Sequence, residues 1–568
     1  MRQPPNIVIG VDQRPPFPDL VLLGLQYAFL LCVYLVIVVI IVRAAGAGPD
    51  VQRSAVSMAM IAMAVGTLLQ SLHRGPIGSG FMAPPVYSAI YLGPSILAAK
   101  AGGLPAVLGM TLVAGLTELF LGMVLHRLRI VMQPTISGLT ISVIGFQLGI
   151  VGMEQALDIS STPDGKLAAH TLVAMITLAT CIGLTIWGQG VWRLVCSLLG
   201  MIAGVVSALA FGLFAEDAFR QLAAQPWFDL PDPSYVSFAF EPGLLPAFLA
   251  AGFAAMLRTV GVVTTCQKAN DADWNRPDFA NNRKGVLADG LACAGGAVMG
   301  APGMNIAPSL VGVSIATGVT SRAVAHACAV VLVVLAFVPK VADAFIQLPI
   351  AVAGALLVFT ASIMLASGLQ LMLSRPLNTR TTFVVSIGLL LPLTRLVAPA
   401  FFDRLPPAVG VFANNPLALS LLAAIGLLLV FRIATGRRQL ILWQKSADAV
   451  KELRATLDRN AAEWGLTKAA IERAVTNTEQ AIELIKEEGL LSEPLSIVAA
   501  ERDNALEIEL RYKGQPLFMP HLDAAGADAH EETSMAAGLH HVASGVYPDR
   551  SATIARGPET TIRLSFDM

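Results

Sequence analysis

Through the first three quarters of the chain, apolar runs of about twenty residues alternate with short polar segments rich in glycine and proline. That length matches the ~20 residues a helix needs to cross hydrocarbon. The pattern predicts spans near 17–42, 51–72, 84–99, 104–126, 134–153, 170–187, 191–214, 243–266, 283–300, 308–318, 321–340, 349–374, 381–399 and 417–434. Two of these fourteen are short, and two are interrupted in the same way about half a chain apart. One interruption runs Gly80-Phe81-Met82-Ala83-Pro84-Pro85-Val86-Tyr87 and the other Met304-Asn305-Ile306-Ala307-Pro308-Ser309-Leu310-Val311. In each, Ala-Pro follows a glycine-rich approach and precedes a short apolar helix. Pro84 and Pro308 lie 224 positions apart, Pro18 maps onto Pro242 by the same shift, and Pro134 and Pro349 open a further pair. Paired hydrophobic segments broken by Pro and Gly in two halves of a membrane protein point to a substrate site at a repeat interface. The pattern predicts an all-α polytopic membrane protein that works as a transporter.

The periodicity changes after about residue 436. Amphipathic helical stretches at 447–460 and 468–488 are followed by the alternating segment Leu506-Glu507-Ile508-Glu509-Leu510-Arg511, a strand signature. The expected organisation is a cytoplasmic N-terminus at 1–16, a transmembrane domain at 17–436 and a small α/β cytoplasmic domain at 437–568.

Composition agrees with the membrane reading. Of 568 residues, 55% are hydrophobic and only 14% charged, and the mean hydropathy is +0.67, well above an ordinary soluble domain. The first span is long and lacks a small-residue cleavage site, so no cleavable signal peptide is expected. Basic residues in short loops set orientation. With the N-terminus inside, Arg127, Arg129, Lys268, Arg276, Arg283, Lys284, Arg375, Arg380, Arg437 and Arg438 are cytoplasmic. Asp158, Asp164, Glu216, Asp217, Asp229 and Asp232 face the other side, and Arg43 and Arg53 break the pattern. The six cysteines lie in or beside apolar spans, as small packing residues rather than disulfides or metal ligands. No cluster of His, Cys and carboxylate and no nucleophile motif is present, which argues against an enzyme and against a metal site. A net charge of −1 gives no reason to expect nucleic acid.

At the spans, several motifs fall in one order. They are Asn282-Arg-Lys-Gly-Val-Leu-Ala-Asp-Gly290 with Gly295, Gly296, Gly300 and Pro302; Gly312 through Thr317 to Arg322; Gln133-Pro-Thr-Ile-Ser-Gly138; Trp192-Arg-Leu-Val with Gly200 and Gly204; and Leu348-Pro-Ile-Ala-Val-Ala-Gly354. Together they resemble the nucleobase–ascorbate transporter family, the xanthine/uracil permeases, over about residues 15–435. The resemblance implies two inverted seven-helix repeats, with a core of spans 1–4 and 8–11 moving against a gate of spans 5–7 and 12–14. It also implies a homodimer in the lipid bilayer. Substrate would lie between the two broken helices and against the eighth span, where helix N-termini present free N–H groups and positive dipole ends.

The candidate binding set is Gln26, Ser79, Gly80, Phe81, Arg258, Asn305, Ile306, Pro308 and Ser309. Two positions depart from the family pattern. Arg258 stands where the eighth span usually carries a glutamate, and Ser309-Leu310 replace a Glu/Gln-Asn pair. Arginine offers only donors, so the substrate edge it meets must accept. A charge two-thirds along an apolar helix is costly and usually functional, the alternative being a side chain snorkelling to the interface. Ser309 either bonds substrate or caps backbone, and Gln26 either orients substrate or ties the first span to the breaks. Glu118 and Asp289 are the coupling candidates, against helix-pairing or structural roles, with H+ or Na+ as the coupling cation and no other cofactor.

In the tail, Ile471 to Glu483, Leu506 to Gly514 and Gly538-Leu-His-His resemble a histidine-kinase-type ATPase domain. There Glu472 and Asn477 would occupy the metal-and-phosphate helix. Tyr512-Lys513 replace the adenine-reading Asp before Gly514, so the expectation is a degenerate regulatory or dimerising module that does not use ATP. The reading as a whole is an inner-membrane secondary transporter of a nucleobase-like heterocycle, anionic as urate or xanthine can be. The alternatives are a small-anion transporter of the related fold and a membrane sensor signalling through the tail.

Overall fold

A computed structural model describes residues 2–5, 7–125, 134–157, 167–189, 192, 195–214, 222–223, 225–272, 277–373, 379–402, 404–405, 415–432, 438–442, 449–464, 466, 468–487, 495–502, 505–513, 550–556 and 559–567. The chain forms two compact units, Met1–Met372 with Ile387–Ala423, and Leu373–Ser386 with Ala424–Met568. Several loop charges used to orient the spans, Arg127, Arg129, Asp158, Asp164, Glu216, Asp217, Arg276, Arg375 and Arg437, lie outside the described residues, as does Gln133.

Each of the fourteen predicted segments carries a helix. The first span is α1 (Phe17–Cys32) and α2 (Leu35–Ala44), and α3 is Pro49–Ser71. A short strand β1 (Pro85–Tyr87) leads into α4 (Ala89–Met123), which supplies spans 3 and 4 because Gly102 and Gly103 (φ +67) break its helical path. Then come α5 (Pro134–Leu157), α6 (Leu167–Trp187), α7 (Cys196–Ala210), α8 (Leu245–Asn270) and α9 (Phe279–Val298). Strand β2 (Met304–Ile306) precedes α10 (Pro308–Thr317), α11 (Arg322–Ala336), α12 (Pro339–Ile346), α13 (Ile350–Met372), α14 (Thr379–Val397) and α15 (Pro416–Arg432). Among the described residues, seven helices are long and apolar enough to cross a membrane, and α11 with α12, bent by 83°, makes an eighth candidate.

The packing obeys the repeat. Helix α3 packs on α11 as α9 packs on α4, α1 on α11 as α8 on α4, and β1 pairs with β2. Exchanging the two halves turns each contact into its counterpart. The gate helices α5 and α13 pack on each other along glycines seven apart, Gly138, Gly145 and Gly152 facing Gly354 and Gly368. A Cβ on Gly354 would sit 2.2 Å from the Ala156 amide nitrogen, and one on Gly138 2.5 Å from that of Met372. Small residues allow such close backbone approach where lipid supplies no hydrophobic drive. Hydroxyls in the spans, such as Thr67, Thr117, Thr140 and Ser142, bond the carbonyl four residues back and so stay satisfied.

Both arginines that break the charge pattern are held by the protein. Arg43 donates to the Ile346 carbonyl, while Arg53 pairs with Asp343 at 2.9 Å and with Asp50 at 3.0 Å. Near the latter, a cavity of about 230 Å³ is lined by Asp50, Arg53, Asp232, Tyr235 and Pro339. It is separate from the broken helices. The N-terminal segment is an ordered strap. Ile9 bridges Val319, the Ser321 hydroxyl donates to the Gln13 carbonyl at 2.5 Å, and Arg322 joins Asp12 to the Gly80 carbonyl.

In the second unit, an antiparallel sheet runs β3 (Arg438–Leu442), β4 (Ser496–Arg502), β5 (Ala505–Lys513), β7 (Glu559–Asp567), β6 (Arg550–Arg556). One face buries Leu506, Ile508, Leu510, Ile562, Leu564 and Phe566 under α16 (Ala449–Trp464) and α17 (Lys468–Glu487). On the other face Glu509 accepts from Arg511 and from its cross-strand neighbour Arg563. Glu472 and Asn477 share α17 but not a face. The Glu472 side chain is exposed and lies 3.7 Å from Arg454, whereas Asn477 is buried. Five positions turn a helix through well over a quarter circle, so these two residues do not converge on one ligand. Tyr512 belongs to the core. Gly514 and Gly538-Leu-His-His lie outside the described residues.

Candidate functional site

The two breaks meet as a two-stranded antiparallel ladder, Pro85 opposite Ile306, Val86 opposite Asn305 and Tyr87 opposite Met304. Each approach turns on a glycine with positive φ, Gly80 at +76° and Gly300 at +86°, a conformation that L side chains rarely adopt. The structure corrects where the first half-helix starts. It begins at Ala89, with Ser88 as the N-cap accepting from the Ile90 N–H at 3.3 Å, and not at Ala83-Pro84. In the second half Pro308 is itself the first helical residue. Strand to strand and helix to helix, the breaks are 219 positions apart, Pro85 to Met304 and Ala89 to Pro308, rather than the 224 that the prolines suggest.

Arg258 lies on α8 and turns inward. Its Nη1 donates to Ser88 Oγ at 2.9 Å, so it sits at the start of the first half-helix instead of snorkelling. Among the described residues no carboxylate pairs with it directly, while Tyr34 and Asp289 are electrostatic neighbours. Tyr34, at the break between α1 and α2, meets Ser309 Oγ at 3.0 Å at the start of the second half-helix. Tyr34 and Arg258 are 224 positions apart, the offset of Pro18 and Pro242. Each half thus sends one polar side chain to the half-helix of the other. Pro308, Ser309 and Gly312 are exposed and Arg258 is half-buried, so this junction is open.

Behind it lies a buried polar cluster. Asn305 Nδ2, with two hydrogens, lies within hydrogen-bond distance of three acceptors: Asp289 Oδ2, Thr259 Oγ1 at 2.9 Å and the Ala255 carbonyl at 3.2 Å. The Ile306 N–H reaches Asp289 Oδ1 at 3.2 Å, and Thr259 lies 2.7 Å from Asp289 and 3.3 Å from Glu118. Phe81 packs with Val262, Val263, Ile306 and Val311. Ser79 and Gly80 are engaged differently. The Ser79 hydroxyl lies 3.0 Å from Gln70 Oε1, its carbonyl accepts from Asn281, and the Gly80 carbonyl accepts from Arg322 Nε at 2.5 Å. Gln26 is half-buried and makes no side-chain hydrogen bond among the described residues, whereas its neighbour Tyr27 is buried and meets Ser314 Oγ at 2.7 Å.

The structure therefore brings Arg258, Ser309, Asn305, Ile306 and Phe81 around the two breaks, with Glu118 and Asp289 behind, and turns Ser79 and Gly80 toward the scaffold. Tyr34, Ser88 and Thr259 are additions that the sequence reading missed. Ser88 carried an N-cap signal two residues before an apolar run. Tyr34 is a polar-tipped residue amid aliphatic ones.

The Xan_ur_permease family model, a permease family, matches residues 18–401. This chain belongs to that family. The permease is 28% identical over 454 residues to the xanthine permease XanQ of Escherichia coli, with 76% of this chain and 95% of that one covered. It is 24% identical over 381 residues to the uric acid permease PucJ of Bacillus subtilis, covering 66% and 84%. Among solved structures, the transmembrane domain of a cyanobacterium bicarbonate transporter, BicA, aligns at 16% identity with a TM-score of 0.46, over 74% of this chain and 100% of that one. Residues 402–568 of the permease lie beyond the family match. As a permease it is a multi-pass membrane transporter of a small molecule and not an enzyme.

Proposed function

We propose that this permease carries an anionic, nucleobase-like heterocycle of the urate or xanthine kind by alternating movement of the core against the gate. The observation that carries the reading is Arg258, a guanidinium held at one half-helix N-terminus, without a direct carboxylate partner among the described residues, and neighbouring Tyr34, which meets the exposed start of the other. Both N-termini favour negative charge, by about 0.3–1 kcal/mol each at exposed sites. A guanidinium adds directed donors that match a planar anion. The names of XanQ and PucJ support a purine. Homodimerisation, residence in the inner membrane with both termini cytoplasmic, and coupling to a cation through Glu118 or Asp289 belong to the same proposal. The tail acts as a regulatory or dimerising module without ATP.

Thermal shift of the purified protein tests this directly, because a ligand that binds only the native state stabilises it by mass action. Urate and xanthine should raise the melting temperature and uracil should raise it less. Stabilisation by bicarbonate or sulfate, with none by any purine, would replace the reading with a small-anion carrier.

A further inference from the structure

Glu118, Asp289 and Thr259 come from three different helices, α4, α9 and α8, and all three are fully buried. Their hydrogens can be counted. Asp289 accepts from the Ile306 N–H, the Asn305 amide and the Thr259 hydroxyl at 2.7 Å, three donors that suit an ionised carboxylate. The Thr259 hydroxyl has one hydrogen, and the shorter contact takes it. Glu118 Oε1, 3.3 Å from the same hydroxyl oxygen, is then left without a donor. Its other oxygen, Oε2, has no hydrogen-bond partner among the described residues. A buried carboxylate with no donor is strongly disfavoured, but a carboxylic acid at Glu118 can itself donate to Thr259 or to Asp289, with which it interacts directly.

The other ionisable neighbours do not alter this count. They are Tyr91 on α4, Cys293 on α9 and Arg258 on α8. Helix α2 also packs on α4, and its one charged residue, Arg43, is engaged at the Ile346 carbonyl.

The geometry points to Glu118 as a proton-binding site: the cluster holds Glu118 as the neutral acid beside an ionised Asp289, and its proton sets the charge that an anion at Arg258 meets. With that proton bound, the one positive charge of Arg258 balances the one negative charge of Asp289. Loss of the proton leaves two buried negative charges behind a single arginine, which strengthens their hold on it and repels an incoming anion. Proton and anion therefore favour each other's binding, reciprocally. The assignment of the proton stands on the hydrogen count, while its consequence for transport rests on the anionic-substrate reading.

Infrared spectroscopy of the purified full chain, without substrate, tests the assignment. A protonated-carboxyl carbonyl band is expected in the wild type, and its loss is expected in Glu118→Gln, which keeps the shape of the neutral acid. Calorimetry with urate as the probe tests the consequence. Wild-type affinity should fall by up to about tenfold per pH unit as pH rises through the titration of Glu118. Glu118→Gln should bind with a flat profile, and Glu118→Asp should restore a slope. Absence of the band from wild type, a band that survives in Glu118→Gln, or an unchanged slope in Glu118→Gln would each overturn the proposal. A wild type that shows the band but binds no urate at any pH would support the proton site and sink the anionic-substrate reading instead.

Discussion

Replacing Arg258 separates an anion-binding junction from a merely structural arginine. Arg258→Ala removes the donor held 2.9 Å from Ser88 Oγ, the guanidinium placed at the first half-helix start. A hydrogen bond to a charged group contributes about 1.5–3 kcal/mol, and 1.4 kcal/mol is tenfold in affinity. Urate binding should therefore weaken by about 10- to 150-fold. Arg258→Lys should recover only part of this if two guanidinium nitrogens engage the ligand, since an ammonium lacks the planar fork. Ser88→Ala makes the link explicit. It should lower stability by about 0.5–2 kcal/mol through the lost cap, and lower affinity by about 0.5–1.5 kcal/mol because Arg258 loses the partner that orients it. In a double-mutant cycle read by calorimetry, Ser88→Ala should cost no further affinity once Arg258 is alanine, since the serine acts on the ligand only through the arginine. Two results would refute the reasoning: uracil and urate binding equally well with Arg258→Ala leaving both unchanged, or an undiminished Ser88→Ala effect on the Arg258→Ala background.

Four further outcomes follow. Gly354→Val places a Cβ where the Ala156 amide nitrogen already lies 2.2 Å away, so it should destabilise the α5–α13 pair by about 1–3 kcal/mol. A detergent melting curve superimposable on wild type would count against that crossing. Arg322→Ala should raise hydrogen exchange at residues 9–13 and 78–81 together, because one side chain ties Asp12 to the Gly80 carbonyl. Asp12→Asn alone should change stability by under about 1 kcal/mol, its side chain being 81% exposed; protection that survives Arg322→Ala would show that the strap is held elsewhere. The tail expressed alone should bind Mg-ATP weakly or not at all by calorimetry, and micromolar binding with hydrolysis would make ATP a real ligand. In that domain burial raises the Glu509 carboxyl, but the bonds from Arg511 and Arg563 outweigh it and hold the group below its usual range. Its contribution to stability is therefore full above the ordinary glutamate value of about 4.3 and is lost as pH falls through the lower folded value. Glu509→Gln should remove that acid-sensitive part of the melting curve.

The spans and their pairing were legible because bilayer thickness dictates helix length and because proline and glycine mark where a helix cannot run on. The register of the breaks was not. Proline fixes φ and removes a donor, and both the start of a strand and the first turn of a helix tolerate that. Pro84-Pro85 enters β1 in one half while Pro308 opens α10 in the other, so matching prolines misplaced the repeat by five residues and set the N-cap at Ala83 instead of Ser88. Arg258 was legible through the cost of a charge within an apolar helix. What it meets was not, since Ser88 lies 170 positions away. The convergence of Glu118, Thr259 and Asp289 was hidden for the same reason. It depends on α4, α8 and α9 crossing closely enough for three short polar side chains to touch. Gly115, Gly252 and Gly290 provide that crossing, since a Cβ on any of them would come within 3.0 Å of a backbone atom of the facing helix. Each of these glycines alone is an ordinary membrane residue. Only their facing positions, set by the fold, turn two unremarkable carboxylates into neighbours that must share their protons.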